Sequence, residues 1–156
     1  MRLPKIISIF FIFFVLIIPL STMAQVPPAP EIPNIIPVEE VQKFIAEYKV
    51  RFIKMDLNAF MALFSKEATE NRMLPYDDIH EAYRRTIVNS KSVVYNLEIY
   101  SIQTYTHNAF VTGHYKIFQS LKKGGEKRSF QGDIQWEIIR EDGSLKIREI
   151  NYGKNR

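Results

Sequence analysis

Cysteine is absent from the 156 residues of this chain, and histidine and glycine are scarce, with three and six residues. The lack of cysteine excludes disulfide bonds, a zinc site built on thiolates, a nucleophilic thiol and a lipid-modified N-terminal cysteine. The sequence also contains no HExxH motif, no EF-hand loop, no phosphate-binding glycine loop and no Gly-x-Ser-x-Gly motif. We therefore expect neither a metal nor another cofactor.

A large excess of one charge is also lacking, since 21 lysines and arginines face 17 aspartates and glutamates. The first 24 residues carry two of these cations, Arg2 and Lys5, and no anion. Without them the net charge falls from +4 to near +2. Such a small excess is weak support for a nucleic-acid partner, and we expect none. Apolar residues make up 46% of the chain, which is typical of a globular protein.

One long hydrophobic run lies at residues 6–20, directly after Arg2 and Lys5. Small residues follow at Thr22 and Ala24, which is the layout of a secretory signal peptide over residues 1–24. We expect export, with the protein periplasmic or secreted after cleavage near Ala24. The alternative is an inner-membrane anchor formed by residues 6–20, although this run spans only about 22 Å as a helix, against about 30 Å for the hydrocarbon core.

Residues 25–37 contain five prolines, which disfavour helices and strand pairing and predict a linker. This linker is either a disordered tail or an extended spacer. The remaining residues, 38–156, are long enough for one domain and show no internal repeat.

Three helices are predicted at the start of this domain. In the first, apolar residues recur every three or four positions, which indicates one face of an amphipathic helix. This face comprises Val38, Val41, Ile45, Tyr48, Phe52 and Met55, widened by Phe44 and Ile53. Asp56 is expected to cap a second, short helix with the apolar face Leu57, Phe60, Met61 and Phe64. Asp77 or Asp78, the latter in a capping box with Glu81, should begin a third helix with the inner face Ile79, Tyr83 and Ile87.

After residue 90 the apolar period changes to two, which predicts strands at residues 92–103, 109–117, 130–138 and 145–152. Gly124-Gly125 lies in the turn between the second and third of these strands. Asp142-Gly143 is a strong hairpin signal before the fourth. The predicted fold class is α+β: three N-terminal helices packed on a curved antiparallel sheet of about four strands.

This order of elements resembles the nuclear transport factor 2-like superfamily, the cone-shaped fold of ketosteroid isomerases and polyketide cyclases. The first helix, residues 55–69 and residues 143–152 carry the resemblance. In detail the chain is most similar to exported modules appended to bacterial envelope proteins such as L,D-transpeptidases. The matching elements in this sequence are Val41-Gln42-Lys43-Phe44 in the first helix and, in the short helix, residues 61–65. The resemblance implies an exported module that binds or positions a partner.

The isomerase branch of this superfamily uses a tyrosine on the first helix as hydrogen-bond donor, an aspartate after the second helix as base, and an acid on a strand. Alignment through the helices places Tyr48 at the tyrosine position and Arg72 at the position of the base. Arginine does not accept a proton at neutral pH. Asp133 is the nearest candidate for the strand acid. Proton-transfer chemistry is therefore not favoured by the sequence.

A ligand pocket inside the cone is predicted from Tyr48, Phe52, Arg72, Tyr115 and Trp136. Arg72 would hold an anionic group with its planar guanidinium, or would lie in solvent. The aromatic residues would line the pocket if the cone is open, and would form the core if it is filled. Tyr48 in particular fits a core residue whose hydroxyl has a partner.

Other polar residues carry weaker hypotheses. His107 and His114 are expected on one strand seven residues apart, hence on opposite faces and unable to share a metal ion. His80 is expected at the surface. A basic cluster at a hairpin tip is either a solvated turn or a contact for anionic glycans or lipid headgroups. Its members are Lys122, Lys123, Lys127 and Arg128.

Three functions follow from these expectations. The first is an exported, non-catalytic binding or positioning module whose partner is a small apolar or anionic ligand or an envelope protein. The second is an enzyme of the isomerase or cyclase type with Tyr48 as hydrogen-bond donor. The third is a structural homodimerisation domain that uses the face of the sheet. A carboxylate inside a solvent-connected cone would favour the enzyme.

Overall fold

The computed structural model describes residues 35–153. The predicted signal peptide, most of the predicted linker and the last three residues lie outside the described residues, so cleavage near Ala24 stays a prediction. Of the linker, residues 35–37 are described. Ile36 is buried, and its amide donates a hydrogen bond of 3.1 Å to the carbonyl oxygen of Tyr105.

The described residues form three helices and six strands. In chain order they are α1 (Val38–Lys54), α2 (Leu57–Met61), β1 (Phe64–Glu70), β2 (Leu74–Pro75), α3 (Tyr76–Asn89), β3 (Ser90–Thr104), β4 (Asn108–Leu121), β5 (Lys127–Glu141) and β6 (Ser144–Tyr152). Between residues 35 and 153 no helix combines the length and apolar composition needed to cross a bilayer.

The strands form one sheet in the order β2-β1-β6-β5-β4-β3. The four predicted strands are β3 to β6, joined as antiparallel neighbours, and the predicted α+β class is confirmed. A β-bulge in β3 between Ile99 and Ser101 interrupts the pairing with β4. Bulges increase the twist and bend a sheet, which accounts for the predicted curvature.

The two strands that the sequence did not predict are β1 and β2. Phe64, expected on the second helix, begins β1, because α2 ends at Met61. β1 pairs with β6 in parallel, and its register shifts between Phe64 and Thr69. This irregularity breaks the alternation of buried and exposed residues along β1, so the strand lacks the period-two pattern that identifies the others.

Helix α1 follows the predicted stripe closely, with Val41, Ile45, Tyr48, Phe52 and also Phe44 buried. Val38 was expected to begin this face and Ile53 to widen it, but they are 38% and 37% exposed. Asp56 caps α2 as predicted, since its carboxylate accepts a hydrogen bond of 3.0 Å from the amide of Ala59.

The predicted capping box of α3 is wrong. Pro75 occupies the N-cap position in extended backbone, with no side-chain cap, so the helix begins before Asp77 and Asp78. These two residues lie in the first turn, where negative charge interacts favourably with the helix dipole. Glu81 pairs with Arg84 at 2.6 Å instead of reaching back to the helix start.

The core lies between the helices and one face of the sheet, here called the inner face. Seven of its fully buried side chains come from three strands: Ala109, Val111, Ile134, Trp136, Ile138, Ile147 and Ile150. The alternation continues through Gly132, where a Cβ atom would lie 2.3 Å from the carbonyl oxygen of Gly153. Only glycine permits this approach of two backbone segments.

Candidate active site

A cavity of about 320 Å³ lies between the inner face of the sheet and helices α1 and α3. Its volume is at the small end of the range of about 300–1,000 Å³ found for ligand pockets. Five of its thirteen lining residues are tyrosines, namely Tyr48, Tyr83, Tyr95, Tyr115 and Tyr152. The cone is thus open at this place and lined by aromatic rings that carry hydroxyl groups.

Three of these hydroxyls form a chain in the wall of the cavity. Tyr152 Oη, on β6, lies 2.5 Å from Tyr83 Oη on α3 and 3.3 Å from Tyr48 Oη on α1. Three hydroxyls carry three protons, and the two bonds between them use two. The third proton is left for an acceptor outside the chain, such as a ligand oxygen.

The three hydroxyls are neutral at physiological pH. Burial raises the pKa of Tyr48, Tyr83 and Tyr152 above the ordinary value of 10.0. The mutual repulsion of the ionised forms adds to this shift, because each phenolate would face its neighbours across a short distance. The tyrosines therefore act as hydrogen-bond donors and not as bases.

A carboxylate lines the same cavity. Glu70, the last residue of β1, is half-buried there. Burial raises its pKa above the ordinary value of 4.5, and no cation or hydrogen-bond donor within residues 35–153 offsets this effect. Its charge reaches the tyrosines, since the pKa of Tyr83 and that of Tyr115 rise first through burial and then through the proximity of Glu70.

Raising the pKa of a carboxyl group makes the carboxylate a stronger base near neutral pH. A neutral hydroxyl in a water-poor site stabilises negative charge that develops on a carbonyl oxygen. Glu70 and the hydroxyl chain thus combine a proton acceptor and a hydrogen-bond donor in one cavity. This combination suits proton removal from a carbon next to a carbonyl group.

Three of the five predicted pocket residues line the cavity: Tyr48, Phe52 and Tyr115. Trp136 does not. It is fully buried beneath Tyr48, with ring centroids 5.6 Å apart and planes at 79°. Its indole Nε1–H has no nitrogen or oxygen partner among the described residues. The sequence left open whether Trp136 and Tyr115 line a pocket or belong to the core. In the structure Tyr115 lines the cavity and Trp136 belongs to the core.

Arg72 is the fifth predicted pocket residue, and the structure places it outside the cavity. Its side chain is 82% exposed, with Nε 3.3 Å from Glu149 Oε1. It follows Asn71 in a turn where both residues have positive φ, which rotates the side chain away from the face of Glu70. The carboxylate that lines the cavity, Glu70, thus lies two residues before Arg72.

The sequence did not predict Glu70 as a site residue, because it did not predict strand β1. Along a strand, residues two apart share a face. Glu70 lies two residues after Ala68, which is 1% exposed. Had residues 64–70 been recognised as a strand, this spacing would have pointed Glu70 towards the interior.

Asp133, the candidate strand acid, lies on the outer face of the sheet. Its side chain is 71% exposed, and Oδ1 lies 3.0 Å from Nδ1 of His114. His107 precedes β4 and therefore does not share that strand with His114. In the part of the chain that the structure describes, no three His, Cys, Asp or Glu side chains are grouped so as to hold a metal ion.

Comparison with known proteins gives no match to a protein-family profile and none to a curated protein sequence. Solved structures do match. A nuclear transport factor 2-like superfamily protein from Salmonella enterica is 17% identical with a TM-score of 0.65, covering 76% of this chain and 90% of that one. A ketosteroid isomerase-like protein from Erwinia carotovora is 16% identical with a TM-score of 0.60, covering 72% and 92%.

A candidate scytalone dehydratase from Novosphingobium aromaticivorans is 11% identical with a TM-score of 0.67, covering 76% of this chain and 83% of that one. At such low identity these matches show the fold alone. The more specific similarity to modules of L,D-transpeptidases stays a prediction. The element order, the single curved sheet and these structural matches together show that the chain has the cone-shaped fold of the nuclear transport factor 2-like superfamily.

Proposed function

We propose that the protein is an acid–base enzyme that removes a proton next to the carbonyl group of a small, largely apolar molecule. The observation that carries this proposal is the presence of Glu70, without a partner among the described residues, in the same cavity as the hydroxyl chain of Tyr48, Tyr152 and Tyr83. Structural neighbours described as a ketosteroid isomerase-like protein and a candidate scytalone dehydratase support this class of chemistry.

In the proposed reaction the Glu70 carboxylate accepts the proton from the α-carbon of the bound ligand. The electrons of the broken C–H bond move to the carbonyl oxygen, which becomes an enolate. A tyrosine hydroxyl donates a hydrogen bond to that oxygen. Return of the proton from Glu70 to a different carbon gives an isomer, and loss of a leaving group from the enolate gives an elimination product.

The test uses 2-tetralone, a compact carbon acid, as a probe of α-proton exchange in deuterated water, followed by NMR. The wild-type protein is expected to accelerate exchange. Glu70→Gln is expected to lower the protein-dependent rate by about 10²- to 10⁴-fold, the usual contribution of a positioned base. Arg72→Gln is the matched control, because it removes an exposed charge two residues away and should leave the rate unchanged.

An exchange rate no higher than that of buffer, or an equal rate in Glu70→Gln and wild type, would contradict the proposal. Tyr48→Phe and Tyr83→Phe sharpen the test, since each removes one hydroxyl from the chain. We expect either to lower the rate less than Glu70→Gln does, because the remaining hydroxyls can still donate to the oxyanion.

A non-catalytic binding module is the second candidate, and one observation favours it. The hydroxyls of the three tyrosines are tied to one another by two hydrogen bonds and leave a single proton for a ligand, as expected for a rigid cavity that holds a ligand without reacting with it. In that case native mass spectrometry would detect a co-purified molecule in wild type and in Glu70→Gln alike, with no proton exchange in either.

We also propose that the protein acts outside the cytoplasm, on the strength of the hydrophobic run at residues 6–20 and the small residues before Gln25. Mass spectrometry of the protein expressed with its own N-terminal segment would show a chain beginning at Gln25 if cleavage occurs after Ala24. Recorded under native conditions, the same measurement reports whether the protein is a homodimer.

A further inference from the structure

One end of the sheet has a charge unlike that of the remaining domain. This basic hairpin end, defined as residues 90–96 and 116–131, comprises the start of β3 and the β4–β5 hairpin. It contains six cations and a single anion, Glu126. The cations are Lys91, Lys116, Lys122, Lys123, Lys127 and Arg128, all of them exposed. The remaining described residues carry eleven cations and fifteen anions, so the positive charge is concentrated here.

Large apolar side chains are exposed among these cations. Val94 and Phe118 are directly opposite each other on β3 and β4 and are 53% and 43% exposed. Phe130, on β5, is 47% exposed. The ammonium group of Lys116 lies 5.1 Å from the centre of the Phe118 ring. Exposed rings surrounded by lysines are typical of surfaces that bind the headgroup region of an anionic bilayer.

The cavity opens at this same end. Phe130 is both exposed and part of the cavity lining, together with Ile117 and Gln119 on β4. Arg128 lies two residues before Phe130 on the same strand, or about 7 Å away at strand spacing. The mouth of the cavity is therefore bordered by the exposed ring of Phe130, with the cation Arg128, which pairs with Glu126 at 2.9 Å, on the same strand.

We propose that the basic hairpin end docks on an anionic lipid bilayer, and that the cavity takes an apolar ligand from that membrane. The lysines contact the lipid headgroups, while Phe130 on the inner face and Phe118 with Val94 on the outer face enter the interfacial region from the two sides of the sheet, so that this end of the sheet and the cavity mouth meet the bilayer. A bilayer is favoured over a nucleic acid because its headgroups bind the cations while its interfacial region accommodates Val94 together with the two phenylalanine rings. Docking on the bilayer does not require catalysis. What happens to the ligand once it is in the cavity rests on the proposed function.

The test is co-sedimentation of the full chain with vesicles of phosphatidylglycerol and phosphatidylcholine, compared with vesicles of phosphatidylcholine alone. All variants carry the same N-terminal segment. The ratio of the affinity for vesicles with phosphatidylglycerol to the affinity for vesicles of phosphatidylcholine alone therefore isolates the contribution of charge. Wild type is expected to prefer the anionic vesicles. Each lysine near the membrane contributes about fivefold to binding, so Lys122→Gln with Lys123→Gln should reduce this preference about 25-fold.

Lys43→Gln with Lys54→Gln is the matched control, since it removes two exposed cations from α1 and should change the preference less than twofold. Phe118→Ser tests the apolar contact without altering the cavity lining, and should weaken binding to anionic vesicles. No preference for anionic vesicles, equal losses in the two lysine pairs, or binding only to soluble RNA would overturn the proposal.

Glu70→Gln separates this inference from the proposed function. It should bind vesicles as wild type does, because Glu70 lies outside the basic hairpin end. Proton exchange that depends on Glu70, in a protein that ignores vesicles, would overturn the docking alone. Vesicle binding by a protein without Glu70-dependent exchange would overturn the catalysis alone.

Discussion

The two hairpin ends of the sheet differ in what fills the space beneath them. At the β5–β6 hairpin, Phe44 of α1, Leu63 and Leu145 are all buried, and Arg140 binds Glu40 through both carboxylate oxygens, at 2.9 and 2.6 Å. At the β4–β5 hairpin, the same inner face instead borders the tyrosine-lined cavity. The space beneath the β5–β6 hairpin is thus a packed core, whereas the space beneath the β4–β5 hairpin contains the cavity.

The change occurs along a single helix. The buried stripe of α1 begins with Val41, Phe44 and Ile45 and continues with Tyr48 and Phe52. Aliphatic chains interdigitate and leave few voids. Next to the cavity, Tyr48 and Phe52 meet neighbouring rings at angles of 52° to 80°, and the Tyr48 hydroxyl pairs with that of Tyr152 at 3.3 Å. A continuous apolar stripe therefore predicts burial, whereas the elements that pack against it decide whether the buried space is filled.

The largest expected effect is at the filled end. Ile147→Ala removes a fully buried side chain of β6 and should lower the free energy of unfolding by about 2–5 kcal/mol. Binding of 2-tetralone should be unaffected, because Ile147 does not line the cavity. Urea unfolding followed by the fluorescence of Trp136 measures the loss. Ile53→Ala, at an exposed position on α1, should cost under about 0.5 kcal/mol; equal losses at both positions would contradict the comparison.

A somewhat smaller effect is expected at the junction of sheet and cavity. In Gly132→Ala the new Cβ meets the carbonyl oxygen of Gly153 and approaches the ring of Tyr115 to 3.4 Å. The clash should cost about 1–3 kcal/mol and weaken 2-tetralone binding. Gly143→Ala is the control. It has a φ of 77° and open space, so it should cost about 1 kcal/mol through backbone strain alone and leave binding intact.

At the open end, Tyr152→Phe removes the central hydroxyl of the chain and breaks both of its bonds. The buried hydroxyls of Tyr48 and Tyr83 then lose a partner, which should lower the free energy of unfolding by about 1–2 kcal/mol. Thermal unfolding measures this change against Tyr105→Phe, at an exposed position that should be nearly neutral. A stability unchanged in Tyr152→Phe would show that the hydroxyl chain is replaced by water.

The smallest effect concerns the pH dependence of stability. Burial raises the pKa of Glu70 in the folded state above its ordinary 4.5, so the folded protein holds this proton to higher pH than the unfolded chain. Stability due to this group is therefore complete below pH 4.5 and falls as the pH rises towards the folded pKa. Glu70→Gln should abolish this loss. Urea unfolding between pH 4 and pH 8 tests it, with Glu98→Gln as the exposed control; parallel pH profiles for wild type and Glu70→Gln would refute it.

The sequence predicted those parts of the fold that have a regular period. Residue spacing alone predicts helix α1 and the alternating strands β3 to β6, because each of them buries one face against the core. The dipeptide Asp142-Gly143 predicts the turn between β5 and β6. Strands β1 and β2 did not follow, since one contains a register shift and the other has two residues. The predicted start of α3 was too late in the chain, because Pro75 occupies the N-cap position and no side chain of Asp77 or Asp78 caps the helix.

For the site, the sequence by itself determined that Tyr48, Phe52 and Tyr115 lie on inward-facing positions, because amphipathic period fixes the face of an element. It also determined the cluster of lysines at one hairpin. Only the tertiary structure brought Tyr83 and Tyr152 to Tyr48, and only it placed Glu70 in the cavity and Arg72 in solvent. The physical reason is that the period of apolar residues specifies the direction of side chains within one element, whereas the hydroxyl chain depends on distances of 2.5 and 3.3 Å between elements far apart in the sequence.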